Sequence, residues 1–296
     1  MVAPRQPCPC GSGKRYKSCH GSSRGDRTVV LRPFVDRADE ADWVALREVV
    51  PSAIAPLQLK DPAYADRTVT LTTVLPAGWP GLVRSDGSIF VALQTPRRSG
   101  DLARDLGQVL SLALETTPGK AIQGIAAAPD APRIQELIGD APVTVEVLDS
   151  FSFWIEGMSD DTGALQSAME SANASIVPTE RLASVEAAYW CRIKDRSHLR
   201  WSMAQDEDAM LDALARLAAP RELGLGEGTK YIGAFRANGL LIPVWDLPVD
   251  MTAADLEQPA ADLAGRLAAL LAEPRKLTSD ELRARSGLLS RQLTLN

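Results

Sequence analysis

The chain has 296 residues, 45% of them hydrophobic and 24% charged, the balance of a globular protein with room for one large domain or two modest ones. No stretch approaches the about 18 uncharged apolar residues of a spanning helix. Residues 1–30 lack the apolar run of a secretory leader, and four cysteines are too few for a disulfide framework at this length, so a reducing cytoplasm is the expected setting.

The net charge of −6 is unevenly divided. Residues 1–32 hold seven basic residues and one acid, a balance of +6, which leaves −12 on the remainder. A basic head on an acidic body points the head toward an anionic partner.

The head opens on PCPCGSGKRYKSCHG, residues 7–21. Its GSGK is not a phosphate loop. Gly11 and Gly13 are two apart, Arg15 follows Lys14 where Ser or Thr is required, and no apolar strand precedes the segment. Metal chemistry fits better. Cys8, Cys10, Cys19 and His20 supply four nitrogen and sulfur donors within thirteen positions, the number that fills a tetrahedral structural zinc site and leaves no position open for catalysis. Another soft metal is the alternative. Pro9 stiffens the Cys-x-Cys turn, and Gly11, Ser12 and Gly13 let the chain double back. Lys14, Arg15 and Lys17 offset the thiolate charge and ease deprotonation. So short a segment cannot bury a core, so metal binding, about 10–16 kcal/mol in small zinc peptides, would have to supply its folding energy.

CPCGSGKRYKSCHG closely resembles the SEC-C motif, the zinc-binding tail of the SecA preprotein translocase ATPase, with Arg15 in place of a lysine. The resemblance covers residues 7–21 only. It implies Cys8, Cys10, Cys19 and His20 as ligands of one structural Zn2+. It also implies Lys14, Arg15, Tyr16 and Lys17 as the face that meets a partner, in SecA the export chaperone SecB and the ribosome. The motif is appended to many unrelated proteins, and the body here has no Walker A sequence and is too short for the translocase motor. A SEC-C motif ahead of an α/β body also resembles an uncharacterised actinobacterial family.

Residues 22–34, with three arginines, two serines and one glycine, read as a basic flexible linker. A helix is expected at 37–50, with Trp43, Leu46, Val49 and Val50 on one stripe and Pro51 as its stop. A strand–strand–helix unit then recurs four times. The first unit has strands at 68–75 and 88–95 and a helix at 100–115. The second has strands at 143–148 and 152–156 and a helix near 162–173, capped by Asp161 with Leu165 and Met169 inward. In the third, 185–193 turns through 194–197 into 198–203, followed by a helix at 206–219. In the fourth, 230–236 turns at Asn238-Gly239, a strong hairpin signal, into 240–247 and a helix at 253–272. Pro243 suggests an edge or a bulge. A last helix over 279–292 has Ser279 as cap.

The expected architecture is therefore α+β: a small N-terminal zinc knuckle at 1–21, the linker at 22–34, two α+β halves at 35–176 and 177–275, and a tail at 276–296. Antiparallel sheet with helices on one face is the expected packing.

Within the body, Cys191 and His198 sit on the two strands of one expected hairpin and need not be far apart. Cys191 alternates with Tyr189 and Ile193, the pattern of a buried face, so a core thiol is the favoured reading over a nucleophile. GLGEGTK (224–230) leads into a strand rather than a helix and reads as a loop. Asp160 and Asp161, and Asp206, Glu207 and Asp208, fit helix starts. The tryptophans Trp79, Trp154, Trp190, Trp201 and Trp245 read as core or sheet-face residues, with Trp190 and Trp201 side by side; an acidic body repels phosphate. The expected function is a non-enzymatic cytosolic adaptor docking through its zinc module on a ribosome or an export chaperone. An enzyme of unidentified chemistry in the body, and direct RNA binding by the module, are the alternatives.

Overall fold

In the computed structural model, residue 6 and residues 29–96, 98–155 and 163–290 are described. The first helix, α1 (Glu40–Glu48), buries Trp43, Val44 and Leu46 and carries Glu40 and Asp42 in its first turn, where the helix dipole favours acids. It is shorter than the apolar stripe suggested. Pro51 disfavours helical backbone in the residue before it.

Six strands form the first sheet: β1 (Ala53–Leu57), β2 (Val69–Thr72), β3 (Gly81–Val83), β4 (Ile89–Ala92), β5 (Lys120–Ile122) and β6 (Glu146–Val147), in the order β5-β3-β4-β2-β1-β6. All neighbours are antiparallel except β2 and β4, which run parallel with Val69 opposite Ile89. The expected strands at 68–75 and 88–95 are thus sheet neighbours, but β3 intervenes in the chain and pairs with β4 from its far side. β1 is a strand the pattern did not announce, because AIAPL contains a proline. Its partner β6 pairs only with Ala53 and Ile54, so Pro56 lies beyond the part of β1 that must bond on both edges.

The helix α2 (Leu102–Glu115) starts at Asp101, whose carboxylate accepts from the Ala103 amide. Its buried Leu102, Leu106, Val109 and Leu110 pack, with α1, over the Val69, Leu71, Ile89 and Val91 face of the sheet. A one-turn α3 (Ile134–Leu137) lies against it. The opposite sheet face, with Leu82, Phe90 and Ala92, carries an aromatic cluster and Met169 of α4 (Ala164–Asn173).

The strand expected at 152–156 is instead a single 3-10 turn, Ser152–Trp154. A strand would send Phe153 and Trp154 to opposite faces. The turn lets both join Phe151 in one cluster, with the Phe151 and Trp154 rings stacked 4.5 Å apart. Gly163, in the left-handed conformation, precedes α4; the expected cap, Asp161, lies outside the described residues.

The second sheet is wholly antiparallel. Its strands are β7 (Thr179–Arg181), β8 (Ala188–Ile193), β9 (Arg196–Trp201), β10 (Lys230–Ala237) and β11 (Leu240–Leu247), in the order β10-β11-β9-β8-β7. The join near 176–182 therefore contributes a strand, β7. The β8–β9 turn is tighter than expected, with Ile193 opposite Arg196. The Asn238-Gly239 hairpin forms as expected, both residues at positive φ and Ala237 opposite Leu240. Pro243 is not at an edge, since β11 lies between β10 and β9. A bulge does sit next to it, where the β10 register shifts between Tyr231 and Gly233. The β9 ladder, too, stops at Val244 opposite Arg200, short of the proline that could not donate to it.

The helices α5 (Glu207–Ala218), α6 (Ala253–Ala272) and α7 (Ser279–Ser290) cover one face, burying Met210, Leu211, Leu214, Leu256, Leu263, Leu267 and Leu288. The start of α7 is capped by Thr278 rather than Ser279. Thr278 N–H donates to Glu281 Oε2 at 2.8 Å and its hydroxyl accepts from Glu281 N at 3.4 Å, a reciprocal capping box.

The second sheet's other face gives Tyr189, Phe235, Leu240, Ile242 and Val244 to the cluster that holds α1, α2 and the first sheet. The architecture is α+β, with two sheets sharing one core.

Candidate functional site

Cys8, Cys10, Cys19 and His20, and the expected contact residues Lys14, Arg15, Tyr16 and Lys17, all lie outside the described residues. Among the described residues, no three Cys, His, Asp or Glu side chains gather in a metal-binding group.

The chain meets the body just after that segment. Val30 N–H donates to Gly100 O at 3.0 Å. The Arg32 guanidinium grips the buried Glu40 carboxylate at 2.7 Å and also reaches Ala204 O. Phe34 is fully buried and packs on Trp43, ring centroids 5.0 Å apart. Of the head's seven basic residues, Arg32 is thus committed to an internal pair.

The cluster of acids at the start of α1 is equally committed. Asp39 accepts from Arg37 at 2.6 and 2.9 Å and from Val143 N at 2.7 Å. Asp42 accepts from Tyr189 Oη at 3.1 Å and from Arg181 at 3.2 and 3.3 Å. Buried charges need such partners to be tolerated, and these leave no carboxylate over for chemistry. At α5, Asp206 caps the helix by accepting from Ala209 N, while Glu207 pairs with Arg236 and Asp208 with Arg285. The helix-start reading holds for these three; Asp160 and Asp161 lie outside the described residues. Residues 224–229 form a loop ahead of β10.

Cys191 and His198 are direct cross-strand partners on β8 and β9. The sheet adds a third residue that the sequence pattern does not single out: Asp246 on β11 stands opposite His198, with Asp246 Oδ1 2.9 Å from His198 Nδ1 but out of line for a hydrogen bond. The Asn238-Gly239 register places Asp246 opposite Lys230; its place beside His198 comes from the β11–β9 pairing, which no local signal announces. The row has the residue types of a thiol nucleophile, a base and an orienting acid, yet its electrostatics are wrong for that chemistry. Cys191 is 1% exposed and burial pushes its thiol up, with Arg200 only partly opposing. Burial likewise pulls His198 down, against the attraction of Asp246 and with Arg200 and Arg196 reinforcing the fall. A nucleophilic cysteine needs a lowered thiol pKa. The pair is a buried thiol beside a half-buried imidazole, each pushed by burial toward its neutral form.

This row has a measurable consequence. Because the folded state holds the His198 ring neutral, the unfolded chain takes up the proton first. The stability that this ring contributes is complete above its ordinary value of 6.5 and is lost as pH falls below it. In urea unfolding at pH 8 and pH 5.5, the wild-type chain should lose more stability on acidification than His198→Gln. Equal losses would show that the ring is not held neutral.

Four of the five tryptophans singled out are inward, and Trp79 is half-buried against the aromatic cluster. Trp154, Trp190, Trp201 and Trp245 are each 6% exposed or less. Trp201 contacts Trp245, centroids 6.3 Å apart, rather than Trp190, because its register partner on β8 is Ala188.

Two family models match. A family of unknown function, DUF5926, covers residues 33–296. The chain belongs to this family. The SEC-C motif matches residues 5–22, so this DUF5926 protein carries that motif ahead of its body. Comparison with curated proteins and with solved structures finds no match. No helix among the described residues is long and apolar enough to cross a membrane.

Proposed function

We propose that this DUF5926 protein is a zinc-binding adaptor whose SEC-C module docks on an anionic partner, a ribosome or an export chaperone, and whose body does not itself perform catalysis. The SEC-C match at residues 5–22 carries this reading. Cys8, Cys10, Cys19 and His20 would hold one Zn2+; three thiols and an imidazole form a donor set suited to that ion and leave no position for a reacting water. The metal would supply the folding energy of a segment too short to bury a core. Lys14, Arg15, Tyr16 and Lys17 would form the contact face. Within this reading residues 1–21 are the module, 22–34 its connection to the body, and 35–176 and 177–275 the two halves behind it, with 276–296 as tail. The charge division between a +6 head and a −12 remainder supports an anionic partner for the head, because the same partner repels the body.

The test has two parts. Protein purified under reducing conditions should contain about one zinc per chain, and the Cys8→Ser/Cys10→Ser variant should contain none while its body unfolds at the same temperature. The intact chain should co-sediment with ribosomes or bind an acidic export chaperone, with affinity falling steeply as salt rises. Removing residues 1–28, which leaves the Arg32–Glu40 anchor in place, should abolish this. Absence of zinc removes the metal site, and binding unchanged by the deletion removes the docking role.

A further inference from the structure

A cleft of about 300 Å³ opens between α6, the first turn of α5, the segment leaving β9 and the loop at 184–186. That volume is at the lower end for small-molecule sites. Its α6 wall is Ala264, Leu267, Ala268 and Leu271, spaced i, i+3, i+4 and i+7 on one helix face. Ala41 and Ala204 also line the cleft, together with the buried Trp201, Met203 and Met210. Alanines at four wall positions hold the space open where larger side chains would close it.

Ser202 also lines the cleft. It is 2% exposed, and its hydroxyl oxygen has no hydrogen-bond partner among the described residues. A buried hydroxyl without a partner costs about 1–3 kcal/mol, and such groups in folded proteins call for an explanation. Apolar walls around one unmet hydrogen-bonding group are the composition of a ligand site. The rim sets the ligand's charge. The exposed Glu186 lines the cleft, and Arg32, which reaches Ala204 O beside it, is taken by Glu40.

From this geometry we infer that the cleft binds an uncharged or cationic amphiphile, with an apolar body of about one or two rings or an equivalent short chain and one hydroxyl or amide that meets Ser202 Oγ. The described lining of the site belongs to the body.

The full-length chain is titrated with 2-naphthol, which carries one hydroxyl, and with naphthalene, which carries none, following tryptophan fluorescence, to which Trp201 at the cleft contributes, and calorimetry. Both should bind saturably at one site. Ser202→Ala should weaken 2-naphthol about 10-fold and leave naphthalene unchanged. Ala268→Trp, on the exposed shoulder of α6, should remove both, and Ala264→Met is the second obstructing variant should the first not fold. 2-Naphthoate should bind far more weakly than 2-naphthol. The inference is overturned if neither probe saturates, if both obstructing variants bind normally, or if Ser202→Ala weakens both probes alike.

Discussion

Replacing Gly107 with alanine is expected to destabilise the protein by about 2 kcal/mol or more, although alanine is the better helix former by about 1 kcal/mol. Gly107 lies inside α2 on the face against the chain entering α3. A Cβ there would stand 2.1 Å from Pro132 O and 2.9 Å from Arg133 C and Ile134 N. These are backbone atoms and cannot rotate away, so the two segments must separate. The separation would draw on Arg133, which donates to Asp101 at 2.9 Å and to Pro33 O at 3.0 Å, and on Gln135, which donates to the same carbonyl at 2.8 Å. The hold on the Pro33 carbonyl would therefore loosen too. A Cβ added at Gly265, inside α6, would meet nothing within 4 Å, so Gly265→Ala should stabilise by about 0.5–1 kcal/mol. Urea unfolding of the two variants should give opposite signs. Equal stabilities would show that the α2–α3 approach is not tight.

The second large effect is expected at Asp42. Asp42→Ala should cost about 3 kcal/mol, because removing one partner of a buried charged group strands the others. Asp42 is held by Tyr189 and Arg181 from the second sheet while belonging to α1. Burial, then the Asp42 charge, keep the Tyr189 phenol raised and protonated. Burial lowers Arg181, but Asp42 and Tyr189 outweigh it and hold the guanidinium above its usual value. Tyr189→Phe alone should cost less, since the ring still packs and Asp42 keeps Arg181. In a double-mutant cycle the pair should fall short of the sum of the single losses. Additive losses, or a change below about 1 kcal/mol for Asp42→Ala, would mean that the contact does not join helix to sheet.

These two sites also mark where sequence reading stops. The helices α2, α5 and α6 were legible because their leucines recur at helical spacing with acids at the start, and the β10–β11 hairpin because only a few residue pairs tolerate its two positive φ angles. β1 is hidden by Pro56, while the strand expected at 143–148 forms only as the two residues of β6. The aromatic turn at 152–154 read as a strand because its composition is a strand's, while its geometry is set by the cluster it joins. Thr278 and Ser279 look equally able to cap in the sequence, and only the reciprocal bond with Glu281 tells them apart. For the candidate site, the ligand-type residues of the head stand out by spacing within thirteen positions. Asp246 beside His198, and the unmet hydroxyl of Ser202, are products of strand register and packing between distant segments and leave no local trace.

The shared core has a consequence for how such a chain can be inherited. Tyr189, Phe235, Ile242 and Val244 fill the same interior as Trp43, Leu71 and Val91, so neither sheet could be transferred to another gene without exposing a face that its sister covers. Recombination can move this body only whole, in keeping with one family match running unbroken across residues 33–296. The motif ahead of it, matched at 5–22, shares no residue with that span, and a cut between the two leaves the span whole.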